Sequence, residues 1–250
     1  VDGTTNLDAV DIDGAVDIAG NLSVDGGTIK LDGNYPVGTA NVALGDQALD
    51  DGSLSGTYNT AIGHRSLTAN TSGATNVSVG GDSMLVSTTG SDNTSVGVGA
   101  MAANTTGSDN TAVGRQALDA NTTASNNTAV GNVALGANTT GDRHVAVGAF
   151  ALQSNTTGAD NVAVGASCMA SNTTGNSNTA VGRRALDANT TGGANTALGL
   201  DALGANTTAA DNTSVGYNSL TANTTGASNT AVGSASLSSN TTASNNVAIG

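Results

Sequence analysis

The chain contains no tryptophan, one phenylalanine (Phe150), one proline (Pro36) and one cysteine (Cys168), and aromatic residues make up 2% of its 250 positions. A compact globule of that length fills its core with large apolar side chains, so the shortage argues against one. The single cysteine rules out an internal disulfide and leaves the redox compartment unread. Basic residues are scarce too: 6 Lys and Arg face 19 Asp and Glu, for a net charge of −13. With so few cations to neutralise phosphates or anionic headgroups, nucleic acid and membrane surfaces are poor partners. No apolar run reaches the roughly 18 residues of a membrane-spanning helix, so membrane insertion is not expected. Nor does the stretch carry a basic-then-apolar signal pattern. It starts without Met and stops on a repeat glycine, so a piece of a longer chain is expected.

What is present is a tandem repeat made of Gly, Ala, Asn, Thr and Ser. The unit Asn110-Thr-Ala-Val-Gly114-Arg-Gln-Ala-Leu118-Asp-Ala-Asn121-Thr-Thr-Ala-Ser-Asn126 returns every 17 residues. Its glycine falls at Gly63, Gly80, Gly97, Gly114, Gly131, Gly148, Gly165, Gly182, Gly199, Gly216, Gly233 and Gly250, and an earlier copy closes one residue out of step at Gly45. A fixed short period predicts a linear array of stacked units. Disorder is the rival reading of such a polar sequence. Against it, every unit keeps an apolar pair in phase, such as Val113 with Leu118 and Val181 with Leu186.

Three segments follow. Residues 1–36 form an Asp- and Gly-rich stretch whose Val10-Asp-Ile12-Asp and Leu22-Ser-Val24-Asp alternate as short strands do. Its acids do not follow calcium-loop spacing and read as a solvated strand edge. Residues 37–58 hold the first, irregular repeat and its joint, and residues 59–250 the regular repeats. Each regular copy predicts two strands, one ending at the glycine and one over Ala-Leu-Asp-Ala or its equivalent, then an Asn-Thr-Thr turn. Stacking would lay Asn121 and Asn189 into an asparagine ladder along the array. Exceptions keep size class: Met84, Met101 and Met169 stand in the Leu slot, Cys168 in the Ala/Ser slot and Ser87 in the Asn slot.

Seventeen residues give a contour near 56 Å, enough for a flattened coil, and the regular array would be a rod some 55–60 Å long. One Val and one Leu per coil are too little buried apolar surface to offset the ordering of 17 residues, so a lone chain is expected to be underfilled. The expected remedy is to bury the small-residue face, Ala112 and its equivalents, against copies of the chain in a parallel homotrimer.

His64 and His144 occupy different repeat positions and read as surface residues rather than metal ligands. Asp109, Asp160 and Asp211 share one turn slot in non-adjacent copies, without a cleft to pair them. No nucleophile elbow or phosphate loop occurs, so neither catalysis nor a cofactor is expected. The Asn-Thr-Thr runs match the N-glycosylation pattern incidentally.

The series Val162-Ala-Val-Gly-Ala-Ser-Cys-Met-Ala170, like Thr111-Ala-Val-Gly-Arg-Gln-Ala-Leu-Asp-Ala120, resembles the head repeats of trimeric autotransporter adhesins, whose pattern is Val-Ala-Ile-Gly-x-x-Ala-x-Ala. The resemblance spans about residues 40–250. It implies a left-handed parallel β-roll with three chains around one axis. This repeat is about three residues longer, at the turn, and Thr often replaces the first Val. In that longer form it resembles repeats of bacteriophage tail fibres, as does the opening Thr5–Gly20. The expectation is therefore an all-β, parallel β-solenoid of 17-residue coils in a homotrimeric fibre. It would be a virion tail-fibre shaft carrying a receptor-binding tip, partnered by itself and by other fibre or tail proteins. Host glycan or protein would be met through other regions. A bacterial surface adhesin, extracellular, is the alternative, and a Thr-ladder ice binder is less favoured because the Thr pair falls in a turn.

Overall fold

A computed structural model describes residues 40–250, which form an all-β parallel solenoid. The alternating segments read in residues 1–36 lie outside the described residues. One three-residue strand per coil runs from β1 (Val42–Leu44) and β2 (Thr60–Ile62) through β5 (Thr111–Val113) and β6 (Thr128–Val130) to β13 (Val247–Ile249). They make one 13-stranded sheet in strict sequence order. Every pair is parallel and one-to-one, as in Thr111↔Thr128, Ala112↔Ala129 and Val113↔Val130. Register advances by 17 at each step except the first, where Val42 pairs with Thr60 and the extra residue is absorbed before β2. No helix occurs among the described residues.

The second predicted strand does not form. Residues 114–120 are a run of turns in which Gln116 (φ 54°) and Leu118 (φ 52°) take left-handed backbone. Their hydrogen bonds nevertheless alternate between neighbouring coils: Gln116 N–H donates to Val98 O (3.0 Å) and Leu118 N–H to Ala134 O (3.0 Å). Left-handed geometry costs an L-residue roughly 1–2 kcal/mol. The cross-coil bond and burial of the leucine offset it. A strand would turn Ala117 and Leu118 to opposite sides, whereas this ribbon buries both.

The interior also differs from the expected Val–Leu pair. Leu118 is fully buried, whereas Val113 points outward and is 37% exposed. The small face is the inner one. Ala112, Ala117 and Leu118, with their copies, fill a thin core within a single chain. Ala112 is therefore not an open surface awaiting sister chains; the coil is narrow enough for its own leucine to close it.

Candidate functional surface

Two buried asparagine columns hold each coil shut. Asn110 donates its amide to Ala124 O (2.9 Å) and to Asn93 Oδ1 (3.2 Å), and its backbone N–H meets the same Oδ1 at 3.0 Å. Asn121 donates to Ala124 O (3.1 Å) and to Asn104 Oδ1 (2.9 Å). Both amides thus converge on one carbonyl and tie it to the preceding coil. A low-dielectric interior strengthens such a chain, provided every member is satisfied. Asn189 repeats the arrangement with Asn172 at 2.8 Å. Asn121, Asn172 and Asn189 are buried, so their N-glycosylation pattern is closed off in the folded chain. Where Ser replaces Ala, hydroxyls pair instead, as Ser66 with Ser78 (2.8 Å) and Ser83 with Ser95 (2.8 Å). A polar side chain flanking a short strand does not by itself mark the Asn110 column as interior. Its signal was present, an Asn kept at that slot in every copy but one.

That one exception is His144, which is buried at 1% exposure rather than on the surface. Its Nδ1 accepts the Asn161 N–H (3.2 Å) and its Nε2 lies 2.6 Å from Gly158 O. A carbonyl needs a donor and an N–H needs an acceptor, so the neutral Nε2–H tautomer fits and a second proton does not. Burial, outweighing the acceptors and the nearby Asp160 and Asp142, holds its pKa below the ordinary histidine value. His64 is about half-exposed between Asp46 (3.7 Å) and Asp82 (3.9 Å).

The glycines from Gly63 to Gly233 stack as a column with φ between 125° and 141°. A Cβ on Gly63 would sit 2.6 Å from Gly80 O. Backbone conformation and neighbour both exclude a side chain there. Leu186 lies inside like Leu118, and Val181 faces outward like Val113.

The solenoid offers two distinct outer features. The outward sheet face carries Val or Thr at the slot of Thr111 and Val, Ile or Leu at that of Val113, from Leu44 to Ile249, without one charge. The corner after the glycine instead varies in chemistry from coil to coil: Arg115-Gln116, Ala149-Phe150, Arg183-Arg184, Leu200-Asp201 and Tyr217-Asn218. Ion pairs span adjacent coils there and at the opposite turn, with Arg65–Asp82 at 2.8 Å, Arg184–Asp201 at 2.7 Å and Arg143–Asp160 at 2.6 Å. Hydrogen bonding from Arg143 holds the Asp160 carboxyl below the usual range. Asp119 and Asp187, half-sunk beside this corner, are pushed up by burial. Asp92 shares the turn slot of Asp109 in the adjacent coil and bonds Thr75. Burial raises the Cys168 thiol to about 12.

Comparison with protein-family models, with curated proteins and with solved structures finds no match to this chain.

Proposed function

We propose that the chain is a stretch of the shaft of a bacteriophage tail fibre, a structural element without catalysis that holds a receptor-binding tip away from the particle. The observation that supports this is the unbroken one-to-one register of 13 strands. It makes a rod about 58 Å long at ~4.8 Å per coil. The interior is occupied by ladders that need only another identical coil to continue. Such an array can be lengthened by repetition without redesign.

In this reading three parallel copies with left-handed coils pack through the outward sheet face, and the fibre belongs to the virion. A continuous uncharged stripe of half-exposed valines along the rod suits that contact, since large apolar patches mark interaction surfaces. Sedimentation should give three times the 23.8 kDa chain mass. Val113→Lys with Val130→Lys should drop it to a folded monomer. A folded wild-type monomer at micromolar concentration would dismiss the trimer. Antibody label on phage particles is expected; label confined to bacterial cells would replace the shaft with a surface adhesin.

A further inference from the structure

Among the described residues the variable corner has a shallow, open depression of about 320 Å³ lined by Arg184, Asp187, Asp201, Gly204, Ala205 and Thr221. It exists because Gly204 holds no side chain in a slot that carries Asp187 in the coil before and Thr221 in the coil after. The Arg184 guanidinium is steadied by Asp201 at 2.7 Å through one nitrogen, and its other N–H groups remain free to donate. Two carboxylates and a hydroxyl supply acceptors around the same space. Tyr217, 57% exposed, and Leu200, 37% exposed, stand in register on adjacent coils of this corner, each immediately before the slot that holds Asn218 and Asp201.

We propose that the notch over Gly204 is a binding subsite for a single saccharide ring, a role beyond that of a passive shaft. A sugar presents vicinal hydroxyls, which both donate and accept, and a C–H face that packs on an aromatic ring. Asp187 and Asp201 accept hydrogen bonds from the sugar hydroxyls, and the Arg184 guanidinium and Thr221 hydroxyl donate them; the exposed Tyr217 stands on the neighbouring coil of the same corner, outside the notch lining. The volume lies at the small end of ligand sites. Phosphate is opposed by the two carboxylates. An apolar ligand would strand the charged lining. Among the described residues no group of three His, Cys, Asp or Glu could hold a metal ion. Burial, which raises the Asp187 carboxyl, weakens its claim on a cation and suits a neutral hydroxyl partner. The subsite uses the corner, not the outward sheet face, so it stands whether or not copies trimerise.

The test is saturation-transfer NMR on the full chain with glucose, galactose, mannose, N-acetylglucosamine, glucuronic acid and N-acetylneuraminic acid, each at millimolar concentration. At least one should show transfer. Gly204→Thr fills the notch with a residue its slot already carries at Thr68 and Thr221, so the fold is kept. That variant should weaken binding at least tenfold, as should the surface change Arg184→Ala, which removes a donor from the notch lining. Gly136→Thr fills the same slot four coils away and should leave binding unchanged. Absence of transfer from all six sugars, or transfer that Gly204→Thr leaves intact, overturns the proposal.

Discussion

Replacing Ser87 by asparagine should stabilise the protein, because the inner ladder is broken there. Ser87 stands in the slot of Asn70 and Asn104, and both Asn70 Oδ1 and Ser87 Oγ are buried without a hydrogen-bond partner. Elsewhere the column is continuous, with Asn138 donating to Asn121 at 3.1 Å and Asn155 to Asn138 at 2.9 Å. At the gap the Asn104 amide nitrogen donates only to Gly107 O (3.1 Å), and Gly90 O receives Asn76 (2.9 Å) but no second amide. Ser87→Asn would supply a donor to Asn70 Oδ1, a donor to Gly90 O and an acceptor for Asn104. Three buried bonds at about 0.5–1.5 kcal/mol each, less the entropy of fixing one side chain, give a gain of about 2 kcal/mol. In a repeat array that gain is local before it is global. Native-state hydrogen exchange should therefore show slower opening at the amides of Thr71 and Thr88, which bond Thr88 O and Thr105 O across this gap. A ~2 kcal/mol gain corresponds to roughly thirtyfold slower exchange. Ser87→Ala removes one orphan and leaves the other, so it should change stability by less than about 1 kcal/mol. If Ser87→Asn is neutral or destabilising, the gap already holds a satisfied arrangement, such as a bound water, and the ladder argument fails at this position.

Other expectations follow from the same interior. His144 binds its second proton more readily unfolded than folded, so stability should be complete above about pH 6.5 and fall with acidification below it, by up to about 1.4 kcal/mol per pH unit, until the depressed folded pKa is reached. His144→Asn restores the column and should remove that loss below pH 6.5, read from urea midpoints. Gly114→Ala puts a Cβ into Gly131 O at φ 141° and should cost about 3 kcal/mol or more, whereas Gly81→Ala should cost less than about 1 kcal/mol because a Cβ there meets open space. Thiol reagents should leave Cys168 untouched in the native state and titrate it fully in denaturant, since it is buried and its thiol sits near 12.

How much of this was legible in the sequence depended on which physical signal carried it. The 17-residue spacing of the glycines gave the solenoid and its register, because stacking in phase is the one arrangement that repeats each contact. The choice between inside and outside was harder. A three-residue strand such as Thr111–Val113 offers one alternate residue to each side, and hydrophobicity favours the valine for the interior. The valine lost because the coil is too thin: Leu118 from the facing turn takes the space, leaving room only for a methyl at Ala112. The left-handed backbone at Gln116 and Leu118 carried no sequence mark, since neither is Gly or Asn. The notch at Gly204 was equally hidden. It is a missing side chain, visible only once Asp187 and Thr221 are known to flank it.

The in-phase narrow coil is tested most directly by methyl NOE spectroscopy centred on Leu118. The fold predicts contacts from Leu118 to Met101 and Leu135, 17 residues to either side, and none to Val113. Contacts between Leu118 and Val113, or interior contacts at a spacing other than 17, would contradict it.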